Sequence, residues 1–197
     1  GKSGVTQIGL ALHSLRAVPP PLMQEAIAGV EASSPIHLHA AEQPGEVDEA
    51  LAAFGKRPID YLLSTFAVDR RWCFVHATHM DATETRALAH SGAVAGLCPT
   101  TEGNLGDGIF PLPGNLDAGG RIAIGGDSHI CVDPAEELKT LEYSQRLLHR
   151  RRNVAASTGA PHTAARLWTE AARNGAEVLG LNAGEIAVGR RADIVVV

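Results

Sequence analysis

The sequence predicts an α/β fold: the back part of a (β/α)8 TIM-type barrel, leading into the start of a small β-sandwich. Three observations predict it. Apolar runs of strand length alternate with longer amphipathic stretches five times, the pattern of parallel strands joined by helical crossovers. Ionisable residues stand at the C-terminal ends of four of those five strands, the edge at which barrel loops converge. The last stretch then abandons the alternation for two short strand-like runs around a Gly-Arg-Arg turn. The expected division is a partial barrel over 1–180 and the beginning of a β-sandwich domain over 181–197.

Taken in order, residues 5–13 (VTQIGLALH) read as the first strand and 22–33 as a helix. A second strand at 36–41 precedes helical stretches at 47–54 and 58–66. A third strand at 72–78 is followed by a helix at 82–90. A fourth spans 93–98 and a fifth 121–125, with helices near 134–150 and over 163–174. The first strand is apolar enough to be buried on both faces, which requires a strand on each side. Five βα units are also fewer than a closed barrel of ~250 residues contains. The chain is therefore expected to be part of a larger barrel. Residues 184–189 and 192–197 read as the two strands of a hairpin. A lone hairpin is marginal in water, so a larger second sheet is expected around them.

Composition narrows the function classes. The 197 residues carry 17 Lys+Arg against 22 Asp+Glu, a net charge of −5, with 45% hydrophobic and 20% charged residues. That excludes a disordered or fibrous chain. Basic residues form no block beyond Arg150, Arg151 and Arg152, which argues against nucleic acid as a partner. No apolar run approaches the ~20 residues needed to span a bilayer, and the first residues, Gly-Lys-Ser-Gly, are not an apolar signal. Cys73, Cys98 and Cys131 have no metal-pair spacing, so reduced thiols in a cytoplasmic protein are expected.

The candidate chemistry lies at the strand ends, at His13, at His37 and His39, at His76 and His79, and at Asp127. The fourth strand is the exception and ends Cys98-Pro99-Thr100-Thr101-Glu102. His37 and His39 alternate along a strand and share a face, as a metal pair would. His37 reads better as a packed or hydrogen-bonding residue, because His39 belongs to a His-Ala-Ala-Glu unit ending in Glu42. A neutral imidazole can bind zinc while the carboxylate moves protons. Glu42 reads equally well as a helix-start carboxylate. His39, His76 and Asp127 are separated by 37 and 51 residues, about one and two βα units, which places them on strands n, n+1 and n+3. Asp127, after Gly125 and Gly126, can ligate metal and accept a proton from water, although a lone Asp in a turn is commonly an Asx-turn. Arg16, three residues after His13, offers a planar fork that matches a carboxylate. A surface Arg in a weak ion pair is the more common case.

His39-x-x-Glu42, His76 and Gly-Asp127-Ser, in this order, resemble the amidohydrolase superfamily. The run from Gly184 through Gly189-Arg190-Arg191-Ala192-Asp193 resembles that superfamily's return to its small β-sandwich. Within it, HSLRAVPP, HLHAAEQ, RWCFVHATHM, GAVAGLCPTTEGNLGDGIFP and GGDSH are similar to the formimidoylglutamate deiminases of histidine degradation. The resemblance implies zinc as cofactor, with His39 and Asp127 as ligands and Asp127 also taking a proton. Glu42 and His76 would handle protons at the reacting group, and His13 and Arg16 would hold the glutamate part of a small anionic substrate. It implies hydrolytic release of ammonia from N-formimidoyl-L-glutamate by a homodimeric full-length form. The family's His-x-His on the first barrel strand has no counterpart here, so the chain alone is expected to be inactive. A ring deaminase acting on a purine, pyrimidine or triazine, and a non-catalytic half-barrel, are the two competing readings.

Overall fold

The computed structural model describes residues 8–195. Five parallel strands form one sheet in sequential order: β1 (Leu10–Ala11), β2 (Ile36–Ala40), β3 (Trp72–His76), β4 (Val94–Leu97) and β5 (Arg121–Ile124). The crossovers are α1 (Pro20–Ala28), α2 (Pro44–Phe54), α3 (Pro58–Thr65), α4 (Ala82–Ser91), α5 (Pro99–Leu105) and α6 (Leu112–Asp117). α7 (Pro134–His149) and α8 (Thr163–Val178) follow β5. Sequential parallel neighbours joined by helices are the architecture of a barrel segment.

Alternation along the strands sorts the two faces of the sheet. Ile36, Leu38, Trp72, Phe74, Ala95, Leu97 and Ile122 pack against Met23, Ile59, Leu62, Leu88, Leu112 and Leu138 in the main core. Burying each large apolar side chain contributes about 1.5–3 kcal/mol, so this helix-facing layer dominates stability. The opposite face carries a smaller cluster of Cys73, Val94, Ala123 and Val178. β3 and β4 come so close there that a Cβ on Gly96 would lie 2.7 Å from the Cys73 sulfur, which admits only glycine.

Local signals set the helix ends. Proline occupies the first turn of α1, α2, α3, α5, α6 and α7, where its missing N–H costs nothing. Asp81 and Glu84 form a reciprocal capping box on α4, and Gly92 closes that helix in the left-handed region. Glu84 is buried and also accepts from Arg57 Nε at 2.6 Å and from the amides of Ile59 and Asp60, which ties α3 to α4. Glu84→Ala leaves these donors unpaired and is expected to destabilise the fold by about 3 kcal/mol, read from urea unfolding.

Several boundaries differ from the sequence expectation. Of the strand expected over 5–13, residues 5–7 lie outside the described residues, and among 8–13 only Leu10–Ala11 is strand. The pairing nonetheless continues, because Leu12 N–H donates to His37 O and His39 N–H to His13 O. The helix expected over 22–33 ends at Ala28, capped at Gly29, and the one expected over 163–174 runs on to Val178. The sequence expectation places no helix between the fourth and fifth strands, yet α5 and α6 form there, each with a proline in its first turn. The hairpin expected over 184–189 and 192–197 is absent from the described residues, and 196–197 lie outside them. Ile186, Val188, Ile194 and Val195 are all exposed there. No second sheet among the described residues pairs with them, and an isolated two-stranded ribbon does not hold by itself. Also among the described residues, no helix is long and apolar enough to cross a membrane.

Candidate active site

Backbone strain concentrates at the C-terminal edge of the sheet. Among the described residues eight non-glycine positions have positive φ, and six of them lie in the loops leaving β1, β2, β3 and β5 or at the last residue of β3. These are His13, Ala41, His76, Ala77, Asp127 and His129. Each such conformation costs about 1–3 kcal/mol and persists only where its surroundings impose it, and such residues cluster at functional sites. The value at His76 has a direct consequence. In a regular strand His76 follows Trp72 and Phe74 onto the helix-facing side. Its φ of 68° turns the imidazole toward the mouth instead, where its ring stacks on that of His39 at 5.6 Å.

His76 is the centre of the cluster. It is 1% exposed, and its Nε2 lies 3.6 Å from Glu42 Oε1 and 3.9 Å from Asp127 Oδ2. Its Nδ1 lies 3.2 Å from Glu102 Oε1. Burial draws its pKa down, but the Glu102 hydrogen bond and the charges of Glu42, Glu102 and Asp127 outweigh it. The net direction is up. His39 stands between His13 and His76, with the His13 ring 5.3 Å away. The His39 Nδ1 bonds the carbonyl of His13 at 2.9 Å. A carbonyl only accepts, so Nδ1 carries the proton and Nε2 keeps its lone pair.

The loops that carry these groups are braced by buried side chains. Glu46 accepts from the amides of Ala41 and Glu42, both at 2.9 Å, which holds the strained turn that presents Glu42. Thr101 bonds the carbonyl of Gly126 and the hydroxyl of Ser128, and so flanks Asp127 on both sides. Glu102 accepts from the amide of Cys98 as well as from His76.

The structure brings together Glu42, His76 and Asp127, with His39 against His76 and His13 beyond it. Arg16 stands apart. It is paired with Glu49 of α2, with Nε at 2.7 Å, and both side chains are substantially exposed. His37 is not part of the cluster, because its Nε2 bonds the carbonyl of Val178 at 2.7 Å. His79 is likewise taken up by the carbonyl of Asp107. The sequence reading passed over Glu102, Thr101 and Glu46. Glu102 had a visible signal: it ends the Cys-Pro-Thr-Thr-Glu run of the one strand set aside as lacking an ionisable end.

The donor set suits a divalent metal. His76, Cys98 and Asp127 offer ligand atoms within 4.8 Å of one another, and His39 presents a free Nε2 beside them. Burial first, and the nearby carboxylates next, push the Cys98 thiol up. Imidazole nitrogen and carboxylate oxygen are donors that zinc accepts.

The amidohydrolase family model matches residues 1–197. The chain belongs to the amidohydrolase family. It is 50% identical over 189 residues to formimidoylglutamate deiminase of Pseudomonas aeruginosa, covering 96% of this chain and 42% of that protein. The crystal structure of an amidohydrolase from Brucella melitensis superposes with a TM-score of 0.84 at 45% identity, over 87% of this chain and 38% of the other. An adenosine deaminase from Xanthomonas campestris with bound zinc gives 0.81 at 26% identity, over 94% and 42%. The chain spans less than half the length of these amidohydrolases, and its five βα units correspond to part of the amidohydrolase barrel.

Proposed function

We propose that the site serves hydrolytic deimination: N-formimidoyl-L-glutamate and water give N-formyl-L-glutamate and ammonia, in a protein that contains this chain. The observation that carries the reading is the convergence of two carboxylates on one imidazole nitrogen, Glu42 at 3.6 Å and Asp127 at 3.9 Å from His76 Nε2. Hydrolysis of an amidine needs a group that takes a proton from water and a group that delivers one to the departing nitrogen. The similarity to a formimidoylglutamate deiminase supports the substrate class, and the zinc in the similar adenosine deaminase supports the metal.

His39, through Nε2, and Asp127 would hold the ion. A zinc ion bound there supplies the Lewis acidity that makes water a competent nucleophile near neutral pH. Asp127 accepts the proton as water adds to the amidine carbon. Glu42, protonated at the outset, delivers a proton to the imino nitrogen. The hydroxyl proton of the adduct then passes to Glu42 and the Asp127 proton to the amine, the C–N bond breaks, and ammonia leaves with both carboxyls restored. His76, buried and aimed by its backbone, hydrogen-bonds the reacting group through Nε2. The loop holding His13 and Arg16 receives the glutamate end, with Arg16 moving from Glu49 to a substrate carboxylate. That exposed pair is worth about 0–1 kcal/mol, a small cost for the exchange.

A ring deaminase is the second reading, favoured by the likeness to the adenosine deaminase. The two differ at the far end of the substrate. Ammonia release from formimidoylglutamate and from guanine, compared in a polypeptide that contains this chain, tests the proposal. Preference for the amidine by kcat/KM is expected, and preference for the purine overturns it. Arg16→Met is expected to raise KM for the dicarboxylate substrate ~10²-fold while leaving kcat within a few-fold. An unchanged KM would leave Arg16 a surface residue.

A further inference from the structure

We infer that Glu102 is a positioning residue that sets the tautomer of His76, through a carboxylate oxygen shared between His76 Nδ1 and the amide of Cys98. The inference deepens the proposed function and rests on it only for the role of His76 at the reacting group.

Three observations meet at this oxygen. Glu102 is 4% exposed and comes from the first turn of α5, which follows β4 after the single residue Cys98. Its Oε1 lies 2.8 Å from the Cys98 amide, which can only donate, and 3.2 Å from His76 Nδ1. An oxygen that already accepts one N–H holds its lone pairs toward the second nitrogen, so His76 Nδ1 is the protonated one. A free neutral imidazole prefers its proton on Nε2. Glu102 reverses that preference and leaves the Nε2 lone pair facing Glu42 and Asp127. His76 has no room to turn its ring over, being 1% exposed and stacked on His39. The strained φ of 68° brings the imidazole to this oxygen in the first place.

Glu102 thus does for His76 what the carbonyl of His13 does for His39. Both imidazoles are anchored through Nδ1 and present Nε2 to the same space. The two neighbouring strands reach that arrangement by different means, a main-chain oxygen in one and a buried carboxylate in the other.

The test is a long-range proton–nitrogen correlation spectrum of the chain labelled with ¹⁵N-histidine, recorded at a pH where the imidazoles are neutral. The His76 signals are assigned by their loss in His76→Gln. The wild-type chain is expected to show His76 protonated at Nδ1. Glu102→Gln keeps an acceptor oxygen and is expected to keep that tautomer, whereas Glu102→Leu removes it and is expected to shift His76 toward the Nε2–H form. A wild-type His76 protonated at Nε2 overturns the inference without any variant, as does an unchanged His76 in a folded Glu102→Leu chain. In a deaminating polypeptide that contains the chain, Glu102→Leu is expected to lower kcat ~10²-fold with KM within about twofold, and Glu102→Gln is expected to recover most of the loss. The expected tautomer without turnover of formimidoylglutamate sinks the substrate reading and leaves Glu102 in place. Turnover with the opposite tautomer does the reverse.

Discussion

Asp127→Asn, in a polypeptide that contains this chain, is expected to lower kcat for ammonia release by ~10³-fold while the fold survives. The size follows from losing a group that transfers a proton in the transition state, which contributes about 10²–10⁴-fold. Two structural facts predict that the backbone tolerates the change. Asp127 has a φ of 43°, and asparagine is among the few residues that enter the left-handed region at little cost. Its loop is held by Thr101 through Gly126 and Ser128, not by the Asp127 carboxylate. The check is steady-state kinetics beside a thermal melt. A melt within a few degrees of wild type together with a collapsed kcat is the expected pair. A variant that keeps its rate removes Asp127 from the proton path.

Glu42→Gln is the second large effect, a fall in kcat of ~10³-fold with KM changed little. Glutamine preserves the length and the amide backbone that Glu46 grips at 2.9 Å, so the turn at Ala41 keeps its shape. What is lost is the proton that the departing nitrogen takes up. Single-turnover kinetics separate this from slow product release: the burst itself is expected to slow. A substrate whose leaving group needs no proton is expected to recover most of the rate. Equal losses on both substrates would reassign Glu42 to structure.

The fold was largely legible because it rests on periodicity. Strand and helix runs alternate, and all five strands pair in chain order. What the sequence hid followed from context. α5 and α6 are short and each is interrupted by a glycine, and their helicity comes from starting prolines and from packing against neighbouring helices. The C-terminal apolar residues carried a strand pattern, yet a strand exists only where another completes its ladder. At the site, His39, Glu42, His76 and Asp127 were readable as residues at strand ends. Their bracing was not. Glu102 and Thr101 reach these partners from 25 to 27 positions away in the chain, through a helix absent from the sequence expectation. Arg16 was legible as a cation near the mouth, and its engagement with Glu49, 33 residues on, was not.

Zinc affinity of the chain, measured by competition with a chromophoric chelator, tests the central assignment most directly. Wild type is expected to take up zinc. His39→Ala and Asp127→Asn are each expected to weaken it at least ~10-fold, and His37→Ala, whose imidazole is bonded to Val178, is expected to leave it unchanged. Equal affinity in the wild type and in the double variant at His39 and Asp127 would contradict the account.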